Sequence, residues 1–168
     1  MINYIYPRVR NLKMKIIILN GPMGVGETAV GKYIAEHNPG TAFIDGDWCL
    51  DLHPFVGNSE TKTMAVDNIL HMIANYKKCS ECKMIVLVWL MDNGWVYDAI
   101  IEGIKKLELE IKSVTLTDRW QNDKECPWRT DEWLKVSKKS LEYFSSLDNT
   151  FDTTNLSIKE VAEKIING

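Results

Sequence analysis

The stretch Gly21-Pro22-Met23-Gly24-Val25-Gly26-Glu27-Thr28 constrains this chain more than any other. Before it runs Lys15–Asn20 (KIIILN), a short β-branched apolar segment that reads as a strand buried on both faces. After it, Ala29, Val30, Tyr33 and Ile34 recur at helical spacing between Thr28 and His37, and Asn38-Pro39-Gly40 ends that helix. A buried strand that turns on glycines directly into a helix is the first half of a βαβ unit.

The rest of the chain keeps the alternation. Thr41–Asp45 (TAFID) is a second short strand, followed by a loop rich in Asp, Gly and Pro to about Asn58. A helix is expected from about Thr61 to Lys78, with Val66, Ile69, Leu70, Ile73 and Tyr76 on one face. Met84–Met91 is continuously apolar and reads as a third, doubly covered strand, with Trp89 in the core. Trp95–Leu107 is helical, Glu110–Thr117 alternates as a fourth strand, and Asp131–Leu147 is helical again. Asn149–Thr153 is a fifth short strand, and Ser157 with Glu160 forms a capping box before Val161, Ala162, Ile165 and Ile166. The class is α/β, with three layers: a mainly parallel sheet with helices on both faces.

Composition narrows the partners. The 168 residues suit one domain, here 14–168, with 1–13 an N-terminal extension ahead of a second candidate start at Met14. Lys and Arg number 20 against 23 Asp and Glu, a net charge of −3, which gives no support for binding a nucleic-acid polymer. No run approaches the roughly 20 apolar residues that span a bilayer, and residues 1–13 lack a signal peptide's apolar region, so no membrane is expected. The four cysteines fit a reducing, cytoplasmic setting.

The glycine stretch has the spacing of the phosphate loop G-x-x-x-x-G-K-[ST], and its place between strand and helix is the one that motif requires. Glycines let successive N–H groups point at one anion, and the helix N-terminus adds its positive end. Thr28 stands where a hydroxyl ligand for Mg²⁺ belongs.

With Phe43-Ile44-Asp45-Gly46-Asp47 after the second strand and Asp152-Thr153-Thr154-Asn155-Leu156-Ser157 before the last helix, the chain resembles the small P-loop kinases. The nearest likenesses are shikimate kinase, chloramphenicol phosphotransferase, and tunicamycin-resistance-type or nucleoside-monophosphate-type kinases. The resemblance spans Lys15 to the C-terminus and implies a five-stranded parallel sheet of order 2-3-1-4-5 with a lid at about 118–130. It implies ATP and Mg²⁺ as cofactors, and a small-molecule or nucleotide acceptor of the γ-phosphate. The chain is then a monomer or a homodimer.

The resemblance also assigns residues. Gly21, Met23, Gly24, Val25, Gly26, Glu27, Thr28 and Ala29 would bind the nucleotide phosphates, and Asn155 would lie by the base. Asp47 would act as base or hold the acceptor hydroxyl, with Asp45 near the metal. Both are equally turn formers in a D-G-D loop. Asp92, after the third strand, resembles a Walker B ending and is a rival metal ligand or a helix cap. Arg119 and Arg129 are candidates to reach the transferring phosphate, or are surface arginines. The family places a helical stretch before its first lid arginine. Here Thr117-Asp118 alone separates Leu116 from Arg119, so the lid is short or residues are missing.

Glu27 breaks the motif, because it puts an anion where the loop lysine belongs. Like charge at about 4 Å costs ~4 kcal/mol at an effective dielectric near 20. Three readings stay open: a sporadic or engineered substitution in a kinase, a natural variant that borrows Arg119 or Arg129, or a nucleotide-binding protein without transferase activity. No N-K-x-D motif marks a switch GTPase, and no L-S-G-G-Q marks a transport ATPase.

Other signals are weaker. Cys79-Ser80-Glu81-Cys82 lacks a second ligand pair for zinc and closes a helix rather than opening one. His37, His53 and His71 show no metal spacing, although His53 could line an acceptor pocket. Trp48, Trp120 and Trp128 could form an aromatic wall for an apolar or ring-bearing substrate, or pack under loops.

Overall fold

The structure is a computed structural model that describes residues 13–92, 94–117, 140, 142–144 and 146–168. Strands β1 (Lys15–Asn20), β2 (Thr41–Asp45), β3 (Met84–Val88), β4 (Glu110–Thr117) and β5 (Thr150–Asp152) form one sheet of order β2-β3-β1-β4-β5. All four pairings are parallel, so each strand must be reached by a crossover, and helices cover both faces. Helices α1 (Glu27–His37), α2 (Ser59–Lys78) and α3 (Gly94–Lys106) carry the crossovers from β1 to β2, β2 to β3 and β3 to β4, and α4 (Ile158–Asn167) forms the C-terminus.

The apolar run of β1 follows from this double covering. Ile16 and Ile18 face one side and pack in a cluster with Ile69 and Ile73 of α2 and Ile100 and Ile104 of α3. Ile17 and Leu19 face the other side, with Val30 and Ile34 of α1 and Val161 and Ile165 of α4. All four β1 side chains are fully buried, each contributing about 1.5–3 kcal/mol.

Local chemistry sets the element ends. α2 starts two residues before the expected Thr61, because Asn58 caps it: its Oδ1 accepts from Thr61 N–H at 2.9 Å, and Thr61 Oγ1 accepts from Asn58 N–H at 3.1 Å. The Ser157–Glu160 capping box of α4 is formed as read. β3 stops at Val88 rather than Met91. Val88 is the last residue paired with both neighbours, to Asp45 of β2 and Leu19 of β1, so the ladder ends there. The loop expected after β2 contains one 3-10 turn, Asp47–Leu50, anchored by the buried Leu50. Of the expected helix Asp131–Leu147, Ser140 and residues 142–144 are described and helical. The rest of that helix except Ser146 and Leu147, the lid at 118–130, and residues 1–12 of the N-terminal extension lie outside the described residues.

Candidate phosphate-loop site

In a parallel sheet the carboxyl ends of the strands collect the loops, and β1 sits at its centre. The site begins with Asn20, the last residue of β1, whose side chain is fully buried. Its Oδ1 accepts from Gly21 N–H at 3.0 Å and from Met91 N–H at 2.9 Å. Its Nδ2 donates to the Met91 carbonyl at 3.4 Å. One amide therefore ties the start of the glycine loop to the segment after β3. Asp92 is the next residue and is exposed.

The loop then closes on itself, with Val25 N–H donating to the Pro22 carbonyl at 3.1 Å and the Val25 side chain buried in the core. Gly24 and Gly26 have φ of 83° and 99°, a region costly for any residue with a Cβ. Left-handed turns of this kind aim backbone N–H groups into a common concavity. The first helical bond of α1 runs from Val30 N–H to the Gly26 carbonyl at 2.9 Å. The N–H groups of Glu27, Thr28 and Ala29 precede it, so the helix start presents donors at the loop.

Glu27 occupies this position with its own anion. The main-chain N–H groups of Glu27 and Gly26, donors that would face a phosphate, favour the charged form of its carboxyl. Burial pushes its pKa up to about 7, the two N–H groups pull against that shift, and the charges of Asp47 and Asp45 add to it. Glu27, Asp45 and Asp47 thus share one electrostatic neighbourhood, although they lie on α1, at the end of β2 and in the following turn.

Asp45 Oδ1 accepts from Asp47 N–H at 3.1 Å, so Asp45 does form the turn that its D-G-D setting suggests. Asp47 is exposed as a residue, yet its carboxyl is crowded at one edge. Desolvation raises its pKa, Asp45 raises it further, and a hydrogen bond from the Trp89 indole opposes both. Trp89 packs closely on the turn: a Cβ at Gly46 would lie 2.2 Å from its Cγ. Trp89 is buried in the core as expected, and it also holds Asp47. The pattern reading missed that second role; its trace in the sequence is the glycine between the two acids, which leaves room for a ring.

Thr28 is half-buried in the first turn of α1. Among the described residues no three His, Cys, Asp or Glu side chains converge into a metal-holding group. Thr28 with one carboxylate nonetheless suits Mg²⁺, which keeps waters and phosphate oxygens as most of its ligands. Asn155 lies past β5, with a left-handed φ of 59°. Thr153 holds that turn to β4, its N–H and hydroxyl both donating to the Thr117 carbonyl at 3.1 and 2.7 Å. His53 is highly exposed and sits 3.1 Å from Asp51. Cys82 bonds the Met84 carbonyl through its thiol at 3.4 Å, and Cys79 is exposed. Arg119, Arg129, Trp120 and Trp128 lie outside the described residues.

The donor set fits a phosphate once the Glu27 carboxyl leaves the loop or takes up a proton. No protein-family model matches the chain, and no curated protein sequence matches it. Solved structures do. The tunicamycin resistance protein of Deinococcus radiodurans superposes with a TM-score of 0.70 at 20% identity, over 91% of this chain and 94% of that one. A gluconokinase from Sinorhizobium meliloti 1021 gives 0.63 at 17% identity, over 93% and 91%. Shikimate kinase from Aquifex aeolicus gives 0.57 at 15% identity, over 90% and 94%. The chain has the fold of the small P-loop kinases, with the sheet order 2-3-1-4-5 expected from the resemblance.

Proposed function

We propose that this protein is an ATP- and Mg²⁺-dependent phosphotransferase acting on a small-molecule or nucleotide acceptor. The observation that carries this reading is the glycine loop at the end of the central strand. Its two left-handed glycines and the start of α1 form an anion cradle. The kinase folds of its structural neighbours support the same reading.

In this reading the main-chain N–H groups from Gly24 to Ala29 bind and orient the nucleotide phosphates. Thr28 and either Asp45 or Asp92 hold the magnesium ion, which supplies charge neutralisation at the phosphates. Asp47 accepts the proton of the acceptor hydroxyl. That oxygen bonds to the γ-phosphorus while the bond to the bridging oxygen of ADP breaks. A raised pKa brings Asp47 closer to the working pH of a general base, and Trp89 fixes its orientation. Arg119 and Arg129 are the cations in the sequence nearest to a lid role, and Asn155 lies where the base would contact main chain. The protein works in the cytoplasm, as a monomer or homodimer.

Calorimetric titration of Mg·ATP into the protein and into Glu27→Lys tests this. Binding by both, tighter in the Lys form, with phosphate transfer across an acceptor panel, is the expected outcome. If neither form binds, the phosphate-loop assignment fails. Binding without transfer to any acceptor would leave a nucleotide-binding protein.

A further inference from the structure

The segment that follows Asp47 is unusual in what it exposes. Trp48 is 78% and Phe55 72% exposed, and Leu52 and Val56 also face solvent. These are four of the seven exposed large hydrophobic side chains among the described residues, all within nine positions of one another. Scattered exposed apolar residues need no explanation, whereas four within nine positions directly after a candidate site residue do.

Their exposure is not the result of a loose loop. Leu50, between Trp48 and Leu52, is buried in the core with Ile69 and Ile73 of α2. Asn68 of α2 donates to the Cys49 carbonyl at 3.1 Å, and Cys49 Sγ lies 3.8 Å from Met72 Sδ. At the far end Thr61 Oγ1 donates to the Val56 carbonyl at 2.7 Å, and the Phe55 ring lies against Gly57. The segment is pinned at both ends, and its aromatic side chains are exposed.

Its charge is equally one-sided. Between Lys32 and Lys62 the sequence has no Lys or Arg, but it has Asp45, Asp47 and Asp51. Among the described residues the ion pair of this segment is Asp51 with His53, and the fixed cations nearest to it along the chain are Lys32 and Lys62, outside its two ends. A carboxylate or phosphate on an acceptor is favoured by an Arg or Lys partner, and beside Asp45 and Asp47 it would meet like charge. An apolar or aromatic body gains from burial on Trp48 and Phe55, and a cationic group gains from both the acids and the rings.

We infer that the acceptor of this protein is a hydroxyl compound with an apolar or aromatic body and no negative charge, neutral or cationic, seated on Trp48, Leu52, Phe55 and Val56 with its hydroxyl at Asp47. This rests on the kinase reading. It narrows the acceptor away from nucleotides, sugar phosphates and carboxylates, because the platform that flanks Asp47 is apolar and acidic.

The test uses three matched probes: 4-methylbenzyl alcohol, 4-(aminomethyl)benzyl alcohol and 4-(hydroxymethyl)benzoate. Each is titrated into the full chain and followed by amide NMR shifts, with Mg·ATP binding measured separately on the same sample. The neutral and cationic alcohols are expected to bind at least tenfold more tightly than the benzoate, with shifts confined to residues 45–57. Trp48→Ala and Phe55→Ala should each weaken them fivefold or more. Both side chains are exposed, so a circular dichroism spectrum like that of the parent separates lost binding from lost fold. Equal or tighter binding of the benzoate overturns the proposal, as does retained binding in both variants. It is also overturned if the chain dimerises with concentration and Trp48→Ala abolishes the dimer, because the patch then holds a second copy. Failure of Mg·ATP to bind while the alcohol preference persists would overturn the kinase reading beneath it, leaving the ligand class standing.

Discussion

Glu27 makes the protein's stability depend on pH in a direction opposite to that of most carboxylates. Its pKa stands at about 7 in the folded protein against 4.5 for the free side chain, mainly through burial. The folded state therefore binds a proton that the unfolded state has already released, and stability falls as pH rises between those two values. At pH 4 and below the group is protonated in both states and costs nothing. Above pH 7 the full penalty is present, with an upper bound of about 3 kcal/mol. The intermediate figure at pH 5 is about 1 kcal/mol, since most folded molecules still hold the proton there.

Glu27→Gln keeps the shape and an oxygen acceptor for the Gly26 and Glu27 N–H groups, but it never ionises. Urea denaturation of both proteins at pH 5, 6, 7 and 8, followed by tryptophan fluorescence, isolates the effect. The variant should be the more stable by about 1 kcal/mol at pH 5 and by about 3 kcal/mol at pH 8. The other carboxylates are common to both proteins and largely cancel in the difference. If the difference is the same at pH 5 and pH 8, the Glu27 carboxyl is not held in the loop, and the argument for self-occupancy of the anion cradle is wrong.

Other expectations are as direct. Asn20→Ala strands the buried Gly21 and Met91 N–H groups, so denaturation should show a loss of about 2–4 kcal/mol, and nucleotide affinity should fall with the loop's position. Asp47→Asn should lower kcat by about 10²–10⁴-fold while leaving the Kd for Mg·ATP within twofold; an unchanged kcat excludes Asp47 as the base. Trp89→Phe removes the indole donor that holds the Asp47 pKa down, so the acidic limb of the kcat profile should move to higher pH; a limb that stays put refutes the contact. Ser157→Ala removes the cap of α4, where Ser157 Oγ accepts from Glu160 N–H at 3.2 Å, and should cost about 1 kcal/mol in thermal unfolding.

Much of the fold was legible because its signals are local. The bounds of β1, β2 and β4 agree with the apolar runs, and the capping box of α4 could be read from Ser157 and Glu160 three positions apart in a single turn. The end of β3 was not legible, because Trp89, Leu90 and Met91 are as apolar as the strand. The ladder stops where β1 and β2 run out of partners, which is a property of neighbours. The same holds for the site. Thr28 could be named from its place in the loop motif and Asp45 and Asp47 from the family resemblance, whereas the Trp89 hold on Asp47 joins two strands' ends and has no pattern along the chain.

The sequence by itself determined the class of the fold, the order of strands and helices, the glycine loop and the sign of the charge at position 27. These depend on residue type and on spacings of a few positions, which backbone geometry converts into local structure. The tertiary structure decided what that charge does. Three acids from separate elements came into one neighbourhood, and burial beside them raised the Glu27 pKa toward neutrality. It also decided what supports the loop, through an Asn20–Met91 contact that spans 71 positions. Coulomb forces and desolvation act through space, so their outcome at this site depended on the packed fold.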